Sequence, residues 1–343
     1  MNKETRISSR VASESDGYRP LNPHVFELDC EHEVRRIGLR VSTELVRLHR
    51  RGVVLGMSGG VDSSVCAALM VHALGAKKVL GLVMPERESS PASERLACAV
   101  AGMLGIEIVR EEITSALHAL GAYRIRDEAI RRVIPQCGPG WKSSIGIAGG
   151  LSGGFNRFDL IVQSPEGAVQ SIRLPYREYL AIVAATNYKQ RLRKTIEYFH
   201  ADRVNYAVIG TPNLLEYDQG FFVKNGDGAA DLKPIAHLYK TQVYKLARHL
   251  GLPDEVCTAI PTTDTYSLPL GQDEFYFALP YAKLDLALYA YVHGLRADTL
   301  AAAIGVGVEQ AEWVYQDIAA KRRHANYLHA APVLFNPQEE TRG

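Results

Sequence analysis

No C-x-x-C pair occurs anywhere in this chain, whose five cysteines are Cys30, Cys66, Cys98, Cys137 and Cys257. That scatter suggests neither a zinc ribbon nor a redox dithiol, and Cys66 reads as a small buried hydrophobe. An excess of one charge is also missing: 39 Lys and Arg meet 38 Asp and Glu, a net of +1. Chains that hold polyanions through bulk charge are clearly basic, so nothing here points to nucleic acid. There is no apolar run of about 18 residues, the length a membrane helix needs, and Met1 to Asp16 has no apolar signal-peptide core. A cytoplasmic protein with no membrane partner is expected. At 343 residues and 47% hydrophobic composition, the chain can bury a full core in one large or two modest domains.

One further absence narrows the chemistry. Val53-Val54-Leu55-Gly56-Met57, then Ser58-Gly59-Gly60-Val61-Asp62-Ser63-Ser64, then the apolar stretch Val65 to Leu74 read as strand, tight turn and helix, and the turn holds no lysine. Gly59 and Gly60 let the backbone turn sharply and bring its N–H groups close to an anion. Ser58, Ser63 and Ser64 add hydroxyls, and the new helix offers unpaired N–H groups and the positive end of its dipole. The P-loop of common nucleotide hydrolases holds β and γ phosphates with a lysine. Here a carboxylate, Asp62, stands instead, suited to reaching phosphate through magnesium.

Strand and helix signals alternate along much of the chain, which predicts a doubly wound parallel sheet. Residues 1 to 30 carry Ser, Pro and charge without periodicity and read as a flexible or draped tail, with the domain proper at 31–343. Glu33 to His49 reads as an amphipathic helix on the stripe Val34, Ile37, Val41, Leu45 and Leu48. Further strands are expected at Val79 to Met84, Ile106 to Val109 and Ala207 to Ile209, with helices at Ala92 to Leu104 and around Leu192 to Phe199. A nucleotide is expected in the crevice at the C-terminal strand ends. Residues 115 to 186 break the alternation as an insertion. Within it Phe158 to Val162 and Ala168 to Ile172, around Ser164-Pro165-Glu166-Gly167, read as a β-hairpin, and Gly146 to Gly154 reads as a flexible lid or linker.

SGGxDS after a hydrophobic strand resembles the PP-loop of the ATP pyrophosphatase superfamily, whose members join AMP to a substrate and release pyrophosphate. A second constellation is more specific. Gly210-Thr211 to Glu216, Gly220-Phe221-Phe222-Val223-Lys224-Asn225-Gly226-Asp227-Gly228-Ala229-Ala230-Asp231, and Leu238-Tyr239-Lys240-Thr241-Gln242-Val243 together resemble NAD synthase, which amidates the nicotinate carboxylate of deamido-NAD. The resemblance implies an adenine nucleotide alpha hydrolase-like fold with an inserted β-hairpin segment. It implies ATP on Gly56, Met57, Ser58, Gly59, Gly60, Val61, Asp62, Ser63, Thr211, Lys240 and Thr262, and a magnesium ion on Asp62 and Glu216. Asp62 and Lys240 would be the catalytic pair, and Arg191, Lys224, Asp231 and Lys321 would meet the acid. A homodimer with the Asn187 helix at or near its interface is implied as well.

Chemistry supports part of this independently. An amide forms from a carboxylate only with a better leaving group than oxide, and AMP supplies one. Two anions must then meet, so cations are needed, and a lysine in a first helical turn such as Lys240 invites an anionic partner. Taken alone, Glu216 reads as a solvated surface residue and Arg191 equally as part of a charged helix face. Lys321-Arg322-Arg323-His324 equally reads as a solvated helix end. Departures from the family, Ala320, Phe277-Ala278 and the apolar Thr265 to Leu270, cluster in segments linked to the acid. Adenylation is therefore better founded than the acid's identity, and an amide synthase for another acid stays open. A tRNA-modifying relative would need basic patches, and a regulator would not need both carboxylates. Because the loop begins at residue 58, no upstream glutaminase is expected, and free ammonia, or ammonia from a partner, is the implied nitrogen source.

Overall fold

The computed structural model describes residues 21–148, 157–259, 266–268 and 279–335. In chain order the elements are α1 (Cys30–Arg47), β1 (Val53–Gly56), α2 (Val61–Leu74), β2 (Val79–Val83), α3 (Pro91–Leu104), β3 (Glu107–Arg110), α4 (Thr114–Ala119) and α5 (Ala122–Val133). There follow β4 (Lys142–Ala148), β5 (Arg157–Gln163), β6 (Val169–Arg173), α6 (Tyr176–Val204), β7 (Ala207–Val208), α7 (Leu214–Gln219), α8 (Lys240–His249) and α9 (Asp254–Thr258). Helices α10 (Tyr281–Val292), α11 (Ala297–Ile304) and α12 (Val308–His329) complete the set.

Four strands form a parallel sheet in the order β3-β2-β1-β7. Alternation along the strands divides the core in two. Val53, Leu55, Val79 and Val83 pack with α1, α2 and α8 on one face, whereas Val54, Leu80, Leu82 and Val208 pack with α4, α5 and α6 on the other. Each fully buried Val or Leu contributes about 1.5–3 kcal/mol over leaving it in water. Local signals set the helix ends: Asp29 accepts from His32 N at 2.9 Å to start α1, and α3 runs from Ser90-Pro91 to a left-handed Gly105. The C-terminal helices α10 to α12 form a separate core. Leu21 and Phe26 are buried in it, so the described part of the expected tail is draped on the protein, and Phe26 lies against Tyr239 and Tyr289.

The insertion contains more than a hairpin. β5 and β6 pair antiparallel around Pro165 as expected, and β4 adds a third strand in the order β4-β5-β6. Gly146 therefore belongs to a strand rather than to the glycine-rich linker; a Cβ there would stand 2.7 Å from Ile161 Cδ1, so the close packing of β5 accounts for the glycine. The rest of that linker, Gly149 to Gly154, lies outside the described residues.

Candidate active site

Chain reversal after β1 sets the phosphate loop. Gly59 has a φ of +80° and its α-hydrogen faces the Ser93 carbonyl so closely that a Cβ would collide with it. Met57 N bonds Leu82 O at 2.8 Å, anchoring the loop's approach to β2, and Val61 is buried as the first residue of α2. No side chain caps α2 at Gly60, so its first N–H groups face outward, as an anion requires. Ser58 and Ser63 hydroxyls lie 3.1 Å apart, and Ser63 and Ser64 hydroxyls donate to Gly60 O at 3.1 and 2.8 Å.

Three other elements close on this loop. Asn213 starts α7 in a capping box with Glu216: its N–H donates to Glu216 Oε2 at 3.1 Å and its Oδ1 accepts from Glu216 N at 3.2 Å. Its amide also donates to Asp62 Oδ1 at 3.2 Å. Lys240, buried at the start of α8, donates to Asp62 Oδ2 and forms an ion pair with it. Behind it Asp285 of α10 accepts from Thr241 N at 2.8 Å and Thr241 Oγ1 at 2.6 Å, fixing the helix end that carries the lysine. Burial pushes Asp285 up to about 6. Burial first and the Asp62 charge second push Glu216 up to about 8. Burial disfavours the Lys240 ammonium, but Asp62 and Glu216 outweigh it and hold its pKa above the usual lysine value.

A cavity of about 610 Å³ opens here, lined among others by Gly56, Met57, Ser58, Gly60, Asp62, Ser63, Thr211 and Glu216. Gly59 and Val61 lie behind its wall, and Thr262 lies outside the described residues. The four residues expected to meet the acid are placed differently. Arg191 Nε donates to Lys224 O at 3.2 Å; Lys224 Nζ donates to Tyr327 O at 2.7 Å and Ala330 O at 3.1 Å. Asp231 accepts from Val208 N at 2.7 Å, and Lys321 pairs with Asp317 at 2.6 Å on α12. None of the four is on the cavity wall.

Other polar residues are. Thr186, Asn187, Gln190, Arg193, Lys194 and Glu197 line the cavity from α6, and their steps of three and four mark one helix face. That spacing was present in the sequence, but a search for apolar stripes passes over a buried polar one. Lys194 donates to Glu197 Oε2 at 2.6 Å, and burial raises the Glu197 carboxyl against the pull of Lys194. Asp227, also on the wall, is raised by burial while Val223 N holds it at 2.7 Å. Beside the cavity, Lys189 donates to Glu86 at 2.8 Å and Glu88 at 2.7 Å, and Arg126 donates to Glu88 at 2.6 Å. Against the cost of burial, Arg126 and Lys189 hold Glu88 down to about 2. These pairs pin the turn after β2 that carries the lining residues Met84, Pro85 and Ser89.

A lysine-free phosphate loop at the end of β1, inside a parallel sheet order of β3-β2-β1-β7, defines an adenine nucleotide alpha hydrolase-like protein of the PP-loop class. The sequence pattern of the NAD synthase family matches residues 33–134 and 162–326, and the chain belongs to that family. It is 56% identical over 316 residues to the NH(3)-dependent NAD(+) synthetase of Rhizobium meliloti (strain 1021), covering 92% of this chain and 95% of that one. Among solved structures, the NMN synthetase of Francisella tularensis superposes with a TM-score of 0.62 and the NH3-dependent NAD synthetase of Campylobacter jejuni with 0.59. Each is 21% identical and covers 90% of this chain and 100% of its own, a likeness of fold.

Proposed function

We propose that this protein amidates deamido-NAD with ammonia, using ATP and releasing AMP and pyrophosphate. The observation that carries the reading is that Lys240 and Asn213 both bond Asp62 of the loop after β1, with Glu216 held by Asn213 and feeling the Asp62 charge. The acid's carboxylate attacks the α-phosphorus of ATP, the bond to the β-phosphate oxygen breaks, and pyrophosphate leaves. Ammonia then attacks the mixed anhydride, losing a proton, and AMP departs. The N–H groups opening α2 and the Ser58 and Ser63 hydroxyls receive phosphate oxygens, and Lys240 opposes the charge growing on pyrophosphate. Asp62 and Glu216 fit a magnesium ion, because burial and the Asp62 charge raise the proton affinity of Glu216, a cost that a bound cation would relieve. When bound, that ion supplies charge neutralisation to the phosphates. Arg191, Lys224, Asp231 and Lys321 are assigned to the acid, and Thr211 and Thr262 to ATP. The test is to supply ATP, ammonium and deamido-NAD and to measure NAD, AMP and pyrophosphate in equal amounts. AMP release with other acids and none with deamido-NAD refutes the substrate.

The working form is a cytoplasmic homodimer. Tyr176, Leu180, Tyr188 and Phe199 leave α6 with exposed apolar side chains, which a second copy would cover. Sedimentation of the wild type at micromolar concentration should give twice the mass of 37.8 kDa, and Tyr188→Glu should shift it toward monomer. A fully active wild-type monomer refutes this.

A further inference from the structure

Glu197 has one oxygen too many for its surroundings. Its Oε2 accepts from Lys194 Nζ at 2.6 Å, while Oε1 receives no hydrogen bond among the described residues. Oε1 stands 3.0 Å from where a Cβ would lie on Gly56, and Met84 Cε is 3.3 Å from the same point. Both carboxylate and glycine line the cavity, and the Glu197 side chain is 8% exposed. A carboxylate oxygen that lines a cavity and takes no donor from the protein is free to accept one from a ligand.

Phosphates carry no such donor. With pyrophosphate on Ser58 to Ser63, the part of ATP beside Gly56 and Met84, at the ends of β1 and β2, is its nucleoside. The adenine edge spreads its amine donor and ring-nitrogen acceptor over two atoms, whereas a ribose hydroxyl donates and accepts at one, and Lys194 Nζ and Glu197 are only 2.6 Å apart. A carboxylate beside an ammonium offers one acceptor and one donor, which matches the hydroxyl. An ammonium ion placed there would face the Lys194 cation. We propose that Glu197 and Lys194 read the ribose of ATP, Glu197 Oε1 accepting a hydroxyl proton and Lys194 donating to a ribose oxygen. This rests on ATP occupying the phosphate loop as described above.

The test compares kcat/KM for ATP, 2′-deoxy-ATP and 3′-deoxy-ATP in the wild type, in Glu197→Gln and in a Glu197→Met/Lys194→Met double variant. A site built around a hydroxyl rejects the analogue that lacks it, so the wild type should prefer ATP over at least one analogue by about tenfold or more. The preference should shrink in Glu197→Gln and vanish in the double variant, which leaves no charge unpaired. A residue that only supports the fold lowers all three nucleotides together and leaves the ratio unchanged; that result overturns the proposal. Equal use of all three by the wild type overturns it without any variant. In both cases continued AMP and pyrophosphate release leaves the amidation reading standing, whereas no release from any nucleotide overturns both.

Discussion

Around residues 58–63 each ionic group already meets a partner that fixes it, whereas Arg191 and Lys224, two of the cations expected to meet the acid, are turned onto backbone carbonyls. Asp62 is held by Asn213 and Lys240, and Lys240 stands on a helix end capped by Asp285. Arg191 and Lys224, in contrast, are bonded to the Lys224, Tyr327 and Ala330 carbonyls, away from the cavity wall. The part proposed for phosphate is thus a preorganised frame, in which charge stabilisation would cost no rearrangement at the moment of reaction. The residues proposed for the acid are spread over α6, the 220–231 segment and α12, and Lys224 would have to exchange two carbonyls for a substrate.

The largest effect should come from breaking the frame. Asp62→Asn keeps the shape but removes the charge that Lys240 meets and that the proposed magnesium ion would need, and Glu216→Gln removes the second carboxylate from α7. Each should lower pyrophosphate release by about a hundredfold or more, the scale of removing one preorganised electrostatic group, with unchanged far-UV circular dichroism. Turnover near that of the wild type in either variant would show that the frame is structural only.

A smaller and selective effect should follow on the other side. Lys224→Ala and Arg191→Ala should each raise KM for deamido-NAD about tenfold to a hundredfold, matching about 1.5–3 kcal/mol for a charged hydrogen bond. KM for ATP should change much less. If both constants rise together, the two residues serve the loop as a whole, and the division between the halves is not functional.

The same division decided what was legible in the sequence. Val53 to Ser64 is continuous, and a hydrophobic run feeding a glycine turn and a helix dictates its local conformation, so loop, strand and helix could all be read there. Glu216 was legible only through the motif around it, because its burial depends on α10 and α12 packing against a six-residue helix. Arg193, Lys194 and Glu197 were missed because a polar stripe on a helix reads as a solvated face unless the sheet it leans on is known. β4 escaped notice because Gly146 weakens the strand signal, and only its contact with Ile161 explains it.

The smallest effect, and the one that probes the frame without substrate, is on stability against pH. The Glu216 carboxyl gives up its proton at 4.5 in the unfolded chain and at about 8 in the folded one. Between those values the folded protein holds the extra proton, so this contribution is fully present below the unfolded value and is lost as pH rises through the folded one. Asp285, raised from 3.8 to about 6, acts in the same direction but is spent at lower pH. Glu88, lowered from 4.5 to about 2, stabilises above its unfolded value and loses that contribution only as pH falls toward 2. The interval from pH 6 to about 8 therefore isolates Glu216 among these three. The urea midpoint of the wild type should fall across it more steeply than that of Glu216→Gln, and magnesium with ATP should remove the difference by holding the carboxylate in its charged form. Parallel pH curves for the two proteins would mean that neither burial nor the Asp62 charge raises the Glu216 carboxyl, and the paired-carboxylate frame would have to be abandoned.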